Sequence, residues 1–208
     1  MVKQQKYIIL DFGLVLGKPK TGEWFITPNF FEILETEKID LKKLKFLFNK
    51  YNALISVKMT TREEEYEAFK EFYYNIINEL HIDGNPKEQA EKLARDFVYN
   101  EDKYVMYDDV YDFLSDASKE HTLILLSDNW PCVYNILKRW NIYDFFTKIY
   151  ISSEYCELKK DGKGSLNKYT NVGTYEEGAK KEWQKVIDVT KKDVDDTSFD
   201  KDTEIPVM

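Results

Sequence analysis

The sequence predicts an α/β protein, a doubly wound and mostly parallel sheet interrupted by a long helical insertion. Three observations carry that prediction. Two short apolar runs, Tyr7-Ile8-Ile9-Leu10 and Leu123-Ile124-Leu125-Leu126, have strand length and no polar alternation, the pattern of a strand covered on both faces. Each ends in a small or acidic polar residue, at Asp11 and at Ser127-Asp128. The stretch between them is far longer than the about 30 residues that a strand–helix–strand crossover needs, and its apolar residues recur at helical spacing.

Taken in order, the first strand ends at Asp11, beside Gly13. Behind a possible cap at Asp40, Leu41, Leu44, Phe48 and Tyr51 share one helical face. Thr61-Arg62-Glu63-Glu64 has the form of a capping box, and Tyr66, Phe69, Tyr73, Ile76, Ile77 and Leu80 follow on one side. Asn85-Pro86 supplies a cap and a first-turn proline before Ala90, Leu93, Ala94 and Phe97. Asp108 is placed to cap a helix through Val110, Phe113, Leu114 and Ala117, which feeds the second strand. After it, Pro131 to Trp140 reads as a helix, and Lys148-Ile149-Tyr150-Ile151 as a third strand ending at Ser152-Ser153. In open α/β sheets ligands bind at the carboxyl ends of the strands, so these polar ends are expected to converge on one crevice.

The expected division is a core of residues 1–19 and 104–187, a helical insertion over 20–103, and an acidic tail over 188–208. The insertion is placed to act as a lid over the crevice. Beyond Gly162 the one convincing helix is Glu176 to Ile187. The tail holds seven acids against three lysines and lacks periodicity, which fits a flexible segment.

Composition narrows the function. The 208 residues are 43% hydrophobic and 33% charged, with a net charge of −8. That is enough apolar material for a core, and the acidity argues against a general nucleic-acid or anionic-membrane binder. No run approaches the about 18 apolar residues of a membrane span, and the first residues lack a signal-peptide core. Cys132 and Cys156 form neither a disulfide framework nor a zinc pattern, so a reducing, cytoplasmic location is expected.

By themselves the residues leave Asp11 with two readings: a carboxylate closing a loop, or one held beside Gly13, where a backbone approaches a ligand closely. His81 and His121 have no partner pattern and read as surface or strand-entry positions. Cys132 falls in a first helical turn, where a thiol pKa can drop, although plain packing is the simpler role. Trp24, Phe25, Phe30 and Phe31 read as packing between insertion and core, or as the wall of a pocket. The Lys42-Lys43-Lys45 and Glu63-Glu64-Glu65 runs read as solvated helix faces.

Three segments taken together resemble the haloacid dehalogenase-like (HAD) hydrolase superfamily. Tyr7 to Leu16 is similar to its first motif, a hydrophobic strand running into Asp-x-Asp-x-Thr/Val. Leu123 to Asn129 is similar to its second, a strand ending in Ser or Thr. Ile149 to Asp161 is similar to its third, with Ser152-Ser153-Glu154 followed by Lys159, and Lys160 where many relatives have proline. The helical stretch matches the cap subdomain that the family inserts between its first two motifs. The resemblance implies that Asp11 is a nucleophile attacking phosphorus, that Ser127 bonds the phosphoryl oxygens, and that Lys159 neutralises their charge. It implies a substrate-side role for Gly13, Asp128 and Asn129. It also implies Mg²⁺ held by Asp11, the Gly13 backbone carbonyl and a fourth-motif acid, Asp195 or Asp196. The expected partner is a small phosphate ester.

Two departures from the family pattern bear on activity. Gly13 stands where most phosphatases of the family carry the acid that protonates the leaving group, a function worth about 10²–10⁴ in rate. Asp128 follows Ser127 where Asn is common, and Asn129, one place on, is a candidate helix cap. The paired acids Asp195-Asp196 follow Lys191-Lys192-Asp193 rather than a strand, so the C-terminal region is either diverged or belongs to a truncated or frame-altered chain. A catalytically impaired binding protein and a 2-haloacid dehalogenase therefore stay open beside the phosphatase. Against the dehalogenase, neither Arg62 nor Arg95, the insertion's only arginines, is clearly placed to hold a carboxylate.

Overall fold

A computed structural model of the protein describes residues 6–36 and 39–154. Within them the sheet is parallel, with β1 (Lys6–Leu10) and β5 (Phe146–Ile151) flanking β4 (His121–Ser127). Leu10 registers with Leu125, and Ser127 with Ile151, so the three carboxyl ends share one edge. The central strand is buried along most of its length, as its unbroken apolar run requires. Helix α6 (Cys132–Arg139) and a 3₁₀ turn at Tyr143–Phe145 connect β4 to β5.

Two hydrophobic clusters divide the molecule. One gathers Leu10, Phe12, Leu16, Leu114, Leu123, Leu125, Val133 and Ile151 around the sheet. The other is helical and is built by α1 (Phe30–Ile33), α2 (Leu41–Ile55), α3 (Arg62–Leu80) and α4 (Pro86–Tyr99). Its centre is aromatic: Phe69 stacks on Phe97 with ring centroids 3.9 Å apart, and Phe25, Phe72, Tyr73 and Trp130 close around them. Phe25 holds a left-handed backbone, φ 66°, a strained conformation for a bulky residue. The Tyr73 hydroxyl donates to its carbonyl at 2.8 Å, and five rings pack on its side chain.

The helix starts follow local chemistry. Asp40 accepts from the Lys42 amide, Thr61 and Glu64 form a complete capping box, and Asn85 caps α4 ahead of Pro86. The helix before β4, α5 (Val110–Ala117), begins one residue later than expected: Asp109 takes the N-cap position, and no side chain bonds there. Four other residues depart from expectation. Glu65 is not solvated but has 0% exposure, because it faces the Cys132 amide at the start of α6. Phe31 is exposed while its neighbour Phe30 takes the buried place, and Leu41, the first residue of α2, is exposed while Leu44 is buried. Phe113 is exposed as well, while its neighbours Val110 and Leu114 are buried.

The chain passes between the clusters through a ribbon absent from the sequence reading. Strand β2 (Gly17–Pro19) pairs antiparallel with β3 (Tyr104–Met106), Pro19 opposite Tyr104. The Lys20 amide extends the ribbon by donating to the Lys103 carbonyl at 2.8 Å. These strands are too short to show a periodic signal. No helix among the described residues is long and apolar enough to cross a membrane.

Candidate active site

Asp11 and Ser127 follow from adjacent parallel strands, which bring their side chains together. The Asp11 carboxylate accepts from the backbone amide of Phe12 at 2.6 Å, and the Ser127 hydroxyl and the Gly13 amide lie on its polar side, where each favours the charged form. Asp11 keeps an exposed face, yet the protein crowds it enough that burial raises its carboxyl pKa above the usual range. The bonds from Ser127, Phe12 and Gly13 pull the other way without cancelling that rise. Desolvation acts against the charged form, and hydrogen bonds to a carboxylate favour it.

The turn after Asp11 is tight. The Phe12 carbonyl accepts from the Leu16 amide at 2.9 Å and from Gly17 at 3.2 Å, while Leu14 adopts φ 61° and stands exposed. At Gly13 a Cβ would lie 3.3 Å from Cη2 and 3.4 Å from Cζ2 of Trp24. The place a side chain would take beside Asp11 is thus lined by an indole, itself packed on Tyr104 with ring centroids 5.6 Å apart.

Beyond Ser127 the second strand-end turn is held from several sides. Asp128 is exposed, whereas Asn129 is buried. Asn129 does not cap α6: its side chain accepts from the Trp130 amide at 3.1 Å, and its carbonyl accepts from the Ser153 amide at 3.4 Å. The α6 cap comes instead from Glu65, whose Oε2 accepts from the Cys132 amide at 2.8 Å. Cys132 is correspondingly buried and held as the thiol. Burial and the nearby Glu65 charge push its thiol pKa up, the reverse of what a helix first turn alone suggests. At the end of β5 the Ser152 and Ser153 hydroxyls are buried and unpaired among the described residues. Glu154 accepts from the Tyr134 hydroxyl at 2.9 Å, and burial raises its pKa.

The structure therefore brings Asp11, Gly13, Ser127, Asp128 and Asn129 to one sheet edge with Ser152–Glu154. Lys159, Asp195 and Asp196 lie outside the described residues, as do the Glu176 to Ile187 helix and the acidic tail. Among the described residues no three His, Cys, Asp or Glu side chains gather as a metal cluster. The oxygen donors at hand, the Asp11 carboxylate and the Gly13 carbonyl, fit in kind what Mg²⁺ takes. Two participants escaped the sequence reading. Trp24 is one of several aromatics in the sequence, and its link to Gly13 leaves no motif. Glu65 was hidden in an acidic run whose other members are solvated.

No family model and no curated protein matches the sequence. Solved structures do. The chain is similar to the HAD-hydrolase YfnB from Bacillus subtilis bound to magnesium, with 16% identity and a TM-score of 0.53 over 73% of this chain and 67% of that one. It is also similar to a haloacid dehalogenase-like family hydrolase from Xanthomonas campestris, with 12% identity and a TM-score of 0.50 over 76% of this chain and 67% of that one. The class is thus an α/β protein with a parallel sheet and a strand-end carboxylate. Its fold is that of the HAD-superfamily hydrolases.

Proposed function

We propose that the protein is a hydrolase of small phosphorylated metabolites that works through a phospho-enzyme on Asp11. The observation that carries the reading is the placing of Asp11 and Ser127 at the carboxyl ends of adjacent parallel strands. In this reading a carboxylate oxygen of Asp11 attacks phosphorus and the bond to the ester oxygen breaks. That oxygen leaves with the bonding pair and takes a proton from water. A second water then attacks phosphorus, releasing inorganic phosphate and restoring the carboxylate. Ser127 and the strand-end amides hold the phosphoryl oxygens in place, and Lys159 neutralises their charge. Positioning and charge stabilisation are most of what this chemistry asks of a protein.

Mg²⁺ would be held by Asp11, the Gly13 carbonyl and an acid at Asp195 or Asp196, and when bound it supplies positive charge at the transferring group. Magnesium bound to the similar Bacillus subtilis hydrolase supports this choice. Asp128 and Asn129 belong to the substrate side, Asp128 through its exposed side chain and Asn129 through the turn it stabilises. The test is release of phosphate from p-nitrophenyl phosphate and from sugar phosphates, with and without Mg²⁺. Turnover that disappears in Asp11→Asn supports the reading, and turnover that survives the substitution overturns it.

One observation favours a second reading, a catalytically impaired relative that binds its ligand without turnover. The Trp24 indole borders the Gly13 position, so the place beside the nucleophile is apolar. Phosphate binding by a folded protein that turns over none of these esters would select it. The dehalogenase reading loses support from the insertion's arginines: Arg62 donates to the Val98 carbonyl at 2.9 Å, and both Arg62 and Arg95 lie over the Tyr99 ring.

A further inference from the structure

Helix α6 begins without a cap of its own. Pro131 occupies its N-cap position and makes no side-chain bond, and the Asn129 oxygen is spent on the Trp130 amide. The Cys132 amide is satisfied by Glu65, 67 residues away in sequence and on helix α3 of the helical body. A buried carboxylate is a costly way to do this, because a Ser or Asp at the N-cap supplies the same acceptor locally. Glu65 has 0% exposure, and its second oxygen has no hydrogen-bond partner among the described residues.

The surroundings are equally specific. Lys103, 4% exposed, hydrogen-bonds the Cys132 sulfur at 3.1 Å and the Phe97 carbonyl, and its ammonium sits 3.7 Å from the centre of the Phe97 ring. Arg62 adds a second positive charge near Glu65, and the Tyr104 hydroxyl, buried and unpaired among the described residues, lies close to both Glu65 and Cys132. The same turn is gripped elsewhere by the helical body. The Trp130 indole donates to the Ile55 carbonyl at 3.0 Å. The Met59 amide donates to Ser153 at 2.9 Å, and the Ser153 amide in turn holds Asn129.

We propose that Glu65 is a positioning residue for the strand-end site: by capping α6 from the helical body, it fixes the turn that sets Ser127 against Asp11. The turn between β4 and α6 is only Asp128 to Pro131, so movement of the α6 start is passed on to Ser127. Docking of the helical body and the geometry of the site are then one event. The effect on turnover rests on the function proposed above, but the effect on the turn does not.

The test compares full-length Glu65→Gln, Glu65→Ala and the double variant Glu65→Ala/Lys103→Met by amide hydrogen exchange and by steady-state kinetics. The double variant is included because Glu65→Ala alone leaves the buried Lys103 ammonium without its neighbouring negative charge and is the one most prone to unfold. In both variants that lose the acceptor, exchange at Asp128 to Cys132 should quicken about tenfold or more, while Leu125 exchanges as in the wild type. kcat on p-nitrophenyl phosphate should fall about tenfold to a hundredfold. Glu65→Gln, which keeps an amide oxygen acceptor, should restore both to within about threefold. Faster exchange confined to Cys132, or a double variant with wild-type kcat, overturns the proposal. A wild-type protein without turnover overturns the function instead, and exchange at the turn still decides the role of Glu65.

Discussion

The edge of the Trp24 indole lies against the point where a side chain at Gly13 would begin, 3.3 Å from its Cβ. The two positions are one unit: glycine makes room for the ring, and the ring closes that flank of Asp11. Gly13→Ala should shift the Trp24 fluorescence and cost about 1 kcal/mol, since the ring must give way by a few tenths of an ångström. Gly13→Asp should be tolerated better when paired with Trp24→Ala than alone. Equal stability losses for the single and double variants, measured by urea denaturation, would break the link.

Asp11 sets a pH dependence with a definite sign. Its folded-state pKa is raised, chiefly by burial, so the folded protein takes up that proton more readily than the unfolded chain does. The stability this contributes is present below the ordinary aspartate pKa and is lost as pH rises through the raised one. In metal-free protein, Asp11→Asn should therefore be more stable than the wild type at neutral pH, with a gap that closes in acid. Ser127→Ala removes a bond that lowers the Asp11 pKa, so NMR titration of Asp11 should move further up.

The capping box of α3 responds with the opposite sign. Bonds from Thr60 and Thr61 hold the Glu64 pKa below its usual value, so the stability it contributes is present above the ordinary glutamate pKa and lost as pH falls through the lowered one. Thr61→Ala should cost about 1 kcal/mol at neutral pH. Glu64→Gln removes the charged acceptor, and denaturant midpoints taken toward acid should show the difference between Glu64→Gln and the wild type shrinking.

Gly17 is the tightest of the glycines in the ribbon region. A Cβ there would stand 2.6 Å from the Trp140 ring and 2.7 Å from the Val105 carbonyl oxygen. The carbonyl belongs to the paired strand, and the indole is stacked on Phe12, so neither yields easily. Gly17→Ala should destabilise by about 1–3 kcal/mol, readable as a lowered melting temperature, with the loss partly recovered in Gly17→Ala/Trp140→Leu.

The readability of this chain divides along physical lines. β1, β4 and β5, the capping box at Thr61, the N-caps at Asp40 and Asn85 and the approach of Asp11 to Ser127 follow from signals local in sequence: apolar runs, cap residues and polar strand ends. What escaped is nonlocal. Glu65 is one carboxylate in a run of three, and only the docking of α3 against Cys132 distinguishes it from Glu63 and Glu64. Cys132 lies in the first turn of α6, but its environment is decided by residues far away along the chain. The ribbon of β2 and β3 is three residues on each side, below the length at which alternation can be seen. Asp108 against Asp109 at the start of α5 is a one-residue slip of the kind that cap arguments produce when no side chain bonds.

The same short ribbon has a meaning for how such a molecule is put together. Pro19 and Tyr104 face each other across it, and neighbouring strands stand only about 4.8 Å apart. For the sheet, everything between them is a single excursion whose two ends meet. Lengthening such an excursion is cheap, about 0.6 kcal/mol of chain entropy for each doubling. The helical body can thus grow, shrink or be exchanged without disturbing the strands that present Asp11 and Ser127. What a replacement cannot omit is the set of handholds on the far side, the acceptors now supplied by Glu65 and Ile55 and the donors supplied by Met59 and Lys103. The ribbon makes the body interchangeable, and those contacts decide which bodies will serve.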